Sequence, residues 1–286
     1  MALESIITNI DANIALQSLN NTQTQLAATE KQISTGYAVA DATDNGAAYA
    51  IAQRVRGDVG ALTSANQQLG NVQGLLGVTS SALNDVSNLM NSARDVLVKL
   101  ADGNTQGTQR TQYIQQYTSL LTNIKSDIQN ADYNGKTLIG NISGSVGTIG
   151  SVNVVTNEVG NTYGIGTYSG SKLYTSVNFT STQLGSATQV AALIGTNATS
   201  ATFMNQLNSL GTAMNTYGSA TNYVSNQISY NSDKITSLNN GLGALVDANL
   251  AQESAKLQSL QIQQQLGTQA LSIANQAPSS LLSLFR

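Results

Sequence analysis

Apolar residues recur in alternating steps of three and four along two long stretches of the chain. The first stretch runs from Ala48 to Leu100, and only Asp58 and Thr79 interrupt its apolar character. The second runs from Phe203 to Leu245, again with two polar exceptions. A pattern sustained over several heptads is typical of long helices that pack in coiled-coil fashion. It predicts two long helices, each with one apolar seam.

The length of the first stretch favours an elongated molecule. A helix from Ala48 to Leu100 is about 80 Å long, whereas a compact chain of this size has a radius of gyration of about 19 Å. A shorter seam from Ile114 to Ala131, after a turn at Gly103, predicts a third helix. The alternative is a globular bundle of shorter helices, because each of five glycines in the first stretch weakens it by up to about 1 kcal/mol.

The middle of the chain does not follow the helical period. Residues 140–150 are rich in Ser and Gly, which indicates turns and a linker. Two segments, Val152–Val154 and Leu173–Phe179, alternate with period two around a turn at 157–161. The predicted fold class is therefore mainly α: an elongated, coiled-coil-like rod of long antiparallel helices with a small β region at one end.

The two ends of the chain carry apolar patterns of another kind. Near the start, apolar residues step by fours and threes and then by sevens. Near the close, two sets of apolar residues fall on opposite sides of one helix at 100° per residue. A helix that is apolar on two opposite faces needs neighbours on both. The residues concerned are Leu3, Ile7, Ile10, Ile14, Leu19, Leu26, Ile33, Leu257, Leu260, Ile262, Leu266, Leu271, Ile273, Leu282, Leu284 and Phe285.

Each of these ends contains a long stretch without charge. No charged residue lies between Asp11 and Glu30 or between Lys256 and Arg286. In a homopolymer, a charge at a contact would often meet its own sign in a medium of low dielectric constant. We therefore predict that the ends form a polymerisation interface between identical subunits. The alternative is that the two terminal helices simply line one core within the chain.

The amino-acid composition argues against several classes of function. The chain has 286 residues with 12 Lys+Arg, 15 Asp+Glu and a net charge of −3, so it offers no basic patch for nucleic acid. It has no Cys and no His, which removes the commonest nucleophile, general base and metal ligands. The apolar runs are too short for a signal peptide or a membrane span. We expect no enzyme activity, cofactor, metal or membrane span.

Specific motifs at both ends match a known family. The start contains Ile6–Asn9, Ala15–Asn20, Ile33–Gly36 and Asp41–Ala52, and the close contains Val246–Asn249, Gln263–Gly267 and Asn275–Arg286. These segments resemble the terminal motifs of bacterial flagellin, and only residues from about 140 to 200 are unmatched.

The resemblance implies a structural subunit that polymerises into the extracellular flagellar filament after export through the type III channel. It also implies contacts with the filament cap, the hook-junction proteins and an export chaperone. The domains would be polymerisation helices at 1–40 and 246–286, rod helices at 41–135 and 201–245, and a variable exterior β region at 136–200.

Two alternatives remain at this stage. A hook–filament junction protein has similar terminal helices, although the match from Leu281 to Arg286 favours flagellin itself. A secreted coiled-coil adhesin would use the middle segment to bind glycan. Glu158 is the only acidic residue between Gly135 and Ser200, which leaves that segment without the carboxylate pair of a glycosidase.

One segment departs from the family pattern. Many flagellins carry a Leu-Gln-Arg-x-Arg-Glu-Leu motif that the animal innate flagellin receptor recognises. The corresponding receptor-facing residues here are Asn91, Ser92, Arg94, Asp95 and Val96. Arg94 is retained, but Asn91 and Ser92 replace the Gln-Arg pair, and a hydroxyl cannot replace a guanidinium. We expect weak recognition by that receptor.

Overall fold

The computed structural model describes residues 9–195 and 202–284, with side chains described as far as Gln276. The helices of this part are α1 (Ile10–Thr35), α2 (Ala42–Ala101), α3 (Gly107–Gln129), α4 (Gly170–Val177), α5 (Ala187–Ile194), α6 (Phe203–Val246) and α7 (Leu250–Leu284). The strands are β1 (Lys136–Thr137), β2 (Thr148–Ile149), β3 (Val152–Val155) and β4 (Thr162–Ile165). Two compact units result: Val59–Ile235 forms one, and the residues up to Asp58 with those from Thr236 form the other.

The long first helix is confirmed. After a non-helical residue at Asn45, α2 continues through all its glycines to Ala101. Its seam is buried from Leu62 to Leu100, including the polar exception Thr79. Ile51, nearer the start, is 48% exposed. Continuous burial of the seam outweighs the low helix propensity of glycine.

Helices α2 and α6 run antiparallel within the 59–235 unit. The Asn66 amide approaches the backbone of Ile228, and the Gln73 amide donates to the Ser225 hydroxyl at 3.0 Å. Residues later in α2 thus contact residues earlier in α6, as an antiparallel pair requires. After α3, the Tyr133 ring lies over Gly74, where an added Cβ would come within 2.7 Å of the ring. Gly74 therefore permits a close approach that no other residue type allows.

The β region corrects part of the sequence-based prediction. Strand β3 pairs with β4 as an antiparallel hairpin across the predicted turn. The segment Leu173–Phe179, expected to be a strand, is instead helix α4 up to Val177. The Ser169 hydroxyl accepts a hydrogen bond from the Lys172 amide at the helix start, and Leu173 and Val177, four residues apart, are both buried. A segment this short is compatible with the period of a strand or of a helix, and the burial of Leu173 and Val177 on one side favours the helix.

A buried amide holds the hairpin against α6. The Asn231 side chain is fully buried and donates to the Asn66 carbonyl oxygen and to the Thr156 backbone carbonyl, both at 2.9 Å. Gln227 donates to the Asn231 carbonyl oxygen at 3.0 Å. The amide is therefore fully satisfied, which a buried polar group requires. Nearby, the Tyr163 and Tyr223 rings stack with centroids 4.1 Å apart.

The Asn231 network can be tested by truncation. Asn231→Ala removes the donor to the Asn66 carbonyl oxygen and one of the two donors to the Thr156 carbonyl, and we expect the free energy of unfolding to fall by about 1–3 kcal/mol. Asn226→Ala on the exposed side of the same helix should change it by less than about 0.5 kcal/mol. Urea denaturation monitored by circular dichroism measures both values. Equal effects of the two substitutions would show that the network does not stabilise the fold.

An ionic cluster orders the connection between α1 and α2. The Lys31 ammonium lies 2.7 Å from an Asp41 carboxylate oxygen and 2.8 Å from one of Asp44. The carboxylates also accept backbone N–H groups, including that of Thr43 for Asp41 and that of Ala40 for Asp44. Hydrogen bonding from Lys31, followed by these local donors, holds the pKa of both carboxyls below the usual aspartate value.

This cluster predicts a pH dependence. A carboxyl whose pKa is depressed in the folded state stabilises the fold above its unfolded pKa of about 3.9, and that contribution disappears as the pH falls through the lower folded value. We expect the amides of Ala40, Asp41 and Thr43 to keep their exchange protection at pH 7 and lose it progressively below about pH 4. Hydrogen exchange followed by mass spectrometry, corrected for intrinsic rates, measures this. Lys31→Gln should show reduced protection already at pH 7; unchanged protection would contradict the assignment.

Candidate functional site

The two ends of the described chain form an antiparallel helix pair, α1 and α7. At one end of the pair the Asn9 side-chain amide donates to the Ala274 carbonyl at 2.7 Å. At the other end the Ala248 amide donates to the Gly36 carbonyl at 2.9 Å, and Tyr37 forms an antiparallel bridge with Asp247. Hydrogen bonds between residues far apart in sequence thus fix the pair at both ends.

The caps of α1 explain why the helix ends where it does. The Asn9 side chain accepts the Ala12 amide, and so one residue caps α1 and also contacts α7. At the other end Gly36 adopts a left-handed conformation with φ 75°, and its amide donates to the Gln32 carbonyl. The next residue, Tyr37, lies under the Arg56 guanidinium, 5.5 Å from the ring centroid.

The inner face of the pair is covered by the chain itself. Leu19 is 8% exposed and Leu260 3% exposed. Gly267 faces Leu19, whose Cδ1 lies 3.3 Å from where a glycine Cβ would be. Leu19 and Leu260 are therefore covered within the chain itself, and their place in the polymerisation interface stays a prediction. The remaining predicted residues on the inner side are half-buried: Leu26, Ile33, Leu257 and Leu271.

The outer face of α7 carries an exposed apolar row, which we call the outer stripe. It consists of Ile262, Leu266 and Ile273, which are 58%, 58% and 70% exposed. At 100° per residue these three side chains lie within about 40° of one another. On α1, Ile10 and Ile14 are 66% and 60% exposed. Single exposed apolar residues are ordinary, but a regular row of large ones marks an interaction surface.

Some predicted residues lie outside the described part, and some exposed ones were not predicted. Leu3, Ile7 and Phe285 are outside the described residues, and so are the side chains of Leu282 and Leu284. Sequence reasoning missed Leu16, which is 45% exposed, and Leu250, which is 49% exposed. Leu250 lies seven residues before Leu257 and Leu16 lies three before Leu19, and this spacing is the signal that could have identified them.

The 91–96 segment lies on α2 in the other unit. Asn91, Ser92, Arg94 and Asp95 are exposed. Val96 is only 2% exposed and belongs to the core of that unit. Val96 lies three residues after Ala93 and next to Leu97, both on the buried seam, so this member of the predicted segment is a core residue.

The chemistry of the helix pair is apolar contact and amide hydrogen bonding. From Leu257 to Gln276 the sequence contains no charged side chain. Within the described ranges, no three Asp or Glu side chains are placed to hold a metal ion. No helix in the same ranges is long and apolar enough to cross a membrane. The arrangement is suited to association rather than to acid–base work.

Comparisons with known proteins agree with this geometry. The profile of the bacterial flagellin N-terminal helical region matches residues 6–143, and that of the C-terminal helical region matches 195–285. Flagellin FljM of Caulobacter vibrioides is 35% identical over all of both chains. The flagellin of Brucella melitensis is 32% identical over 99% of this chain and 100% of its own.

A solved structure shares the fold. The structure of a putative flagellar hook-associated protein from Vibrio parahaemolyticus has a TM-score of 0.59 and 15% identity, covering 71% of this chain and all of that one. Identity this low supports the fold alone. The full-length relatives favour the filament protein over the hook-junction and adhesin alternatives. The chain belongs to the bacterial flagellin family and is a structural subunit of the extracellular flagellar filament.

Proposed function

We propose that the outer stripe of α7, together with Ile10 and Ile14 of α1, is the surface through which this subunit joins its neighbours in the filament. The observation that carries the proposal is the exposure of Ile262, Leu266 and Ile273 on one side of a helix whose other side is already covered. Leu3, Ile7, Leu282, Leu284 and Phe285, whose side chains lie outside the described part, are further proposed contacts, and of the last three only Leu284 keeps the phase of Ile273. The role is structural, with no catalytic step.

The free energy of burying these side chains is consistent with a surface that contacts several neighbouring subunits. Full burial of one Ile or Leu side chain contributes about 1.5–3 kcal/mol, and the five exposed residues begin about 60% exposed. Their burial therefore contributes roughly 5–10 kcal/mol, which is similar to the cost of association, about 4–15 kcal/mol. One such contact is marginal, whereas a subunit that contacts several neighbours in a lattice is held firmly.

The polar residues around the stripe suit a homopolymer. Gln261, Gln263 and Gln265 lie beside the apolar positions Ile262 and Leu266 in the sequence and are exposed. Amide groups both donate and accept hydrogen bonds, so identical residues on neighbouring copies can pair. Carboxylates or ammonium groups at these positions would repel their counterparts wherever equivalent residues met.

The same surface accounts for the other partners that the family resemblance implies. An exposed apolar row requires cover before assembly, and an export chaperone supplies it. The cap and hook-junction proteins then contact the outer stripes of the subunits at the two ends of the filament. In each case the contact is apolar burial rather than ion pairing, because the row contains no charge.

For the 91–96 segment we propose weak binding to the innate flagellin receptor. Arg94 is exposed and available, but Asn91 and Ser92 stand where the family motif has glutamine and arginine. Arginine is over-represented among interface residues that dominate binding, and a serine hydroxyl supplies neither its charge nor its bidentate geometry.

Substitutions at Leu266 test the polymerisation surface. Leu266→Asp places a charge in the outer stripe without touching the inner face, so we expect a folded chain that forms no filaments. Leu266→Met keeps an apolar side chain of similar volume and should polymerise. Electron microscopy after addition of sulfate, with circular dichroism melting of both variants, measures assembly and folding separately. Normal filaments from a folded Leu266→Asp chain would refute the assignment of this face.

The receptor proposal predicts a gain on restoring the motif. We expect the combined substitution Asn91→Gln and Ser92→Arg to raise agonist potency by about thirtyfold, the effect of a strong interface residue. A receptor reporter assay on depolymerised protein measures the potency of both chains. If the unsubstituted chain is already as potent as a flagellin with the full motif, the proposal is wrong.

A further inference from the structure

A shallow groove of about 390 Å³ lies in the 59–235 unit. Gly77, Ser81 and Asp85 line it from α2, and Asp127 and Asn130 line it from α3 and the residue after it. The apolar walls come from Val78, Ala82 and Ala131. The groove therefore combines apolar walls with two carboxylates.

Two features of the groove are unfavourable for the chain by itself. Gly77 stands in the middle of a helix, where glycine is a poor helix former, yet a Cβ added there would meet nothing within 4 Å. The carboxylates of Asp85 and Asp127 have the same charge, and no ion-pair partner for either lies in the described part of the chain. Burial, and then the charge of Asp85, raises the pKa of Asp127. Among the described residues, the like charges of the two carboxylates are therefore left without a compensating cation.

We infer that this groove receives a Lys or Arg side chain from a second copy of this chain in the filament. The aliphatic stem of such a residue packs on apolar walls while its charged end binds carboxylates. Absence of a side chain at Gly77 leaves the space open. The inference rests on the proposed self-association and adds a second contact, formed by a different unit.

Charge complementarity supports a copy of the same chain as the occupant. Lys136 and Lys172 are exposed, and neither belongs to an ion pair in the described ranges. A groove on one copy that receives a side chain from elsewhere on the next is a heterologous contact. Contacts of that type produce open helical assemblies when the rotation does not close. A filament requires such an assembly.

Gly77→Gln tests the space in the groove, and Gly70→Gln is its matched control. Both glycines are exposed on α2 with nothing within 4 Å of an added Cβ, but only Gly77 lines the groove. Both variants should melt at or above the temperature of the unsubstituted chain, because glutamine is the better helix former. We expect Gly77→Gln to raise the critical concentration for polymerisation by about fivefold or more, and Gly70→Gln to leave it unchanged.

Asp127→Asn tests the charge, with Asp102→Asn as the control for the same change in net charge. Asp102 is an exposed turn residue whose side-chain oxygen accepts the Asn104 amide, a bond that asparagine can also accept. We expect only Asp127→Asn to raise the critical concentration and to reduce its dependence on salt. Sedimentation of filaments formed by the full-length chains at several concentrations measures both quantities.

The outcomes separate this inference from the proposal about the outer stripe. If Gly77→Gln and Asp127→Asn polymerise like their controls, the groove receives no partner side chain and the inference is overturned, whatever Leu266→Asp does. If both raise the critical concentration while Leu266→Asp polymerises normally, the groove contact stands and the outer stripe assignment fails. Loss of polymerisation by both controls, Gly70→Gln and Asp102→Asn, would show an unspecific effect of substitution and would also overturn the inference.

Discussion

The antiparallel contact between α1 and α7 is the interaction on which the rest of the assembly surface depends. It joins residues more than 200 positions apart, as in the 2.7 Å hydrogen bond from Asn9 to the Ala274 carbonyl. Because Leu19 and Leu260 are buried between the two helices, the opposite face of α7 is directed outwards. A single contact within the chain thus creates both a stable helix pair and an apolar surface that the chain cannot cover alone.

Scarcity of charge is the second constraint. With 9% charged residues, the chain relies on amides, hydroxyls and backbone carbonyls for its polar contacts. Asn231 satisfies its amide inside the 59–235 unit, and Arg110 directs its guanidinium to the backbone carbonyls of Leu100, Thr105 and Leu184 rather than to a carboxylate. Such contacts are not repelled when identical subunits meet. They stabilise the unit and leave its surface compatible with a homopolymer.

The long helices could be predicted from sequence and the short elements could not. In α2 and α6 the apolar period is repeated often enough to distinguish a helix from a strand without ambiguity. Leu173–Phe179 contains too few residues for that distinction, and the burial of Leu173 and Val177 against the core selected a helix. Likewise, strand β4 was not predicted, because Gly164 interrupts its short run of strand-forming residues. Only its pairing with β3 identifies it as a strand.

For the candidate site, the sequence by itself determined that α7 has two opposite apolar faces and, after Lys256, no charge, since period and composition are local properties. It could not determine which face is turned inwards. That was decided by the fold, because Leu260 is covered only when α1, from the other end of the chain, packs against it. The same reason applies to Val96, whose burial depends on neighbouring helices, and to the groove beside Asp85 and Asp127, which exists only where α2 and α3 meet.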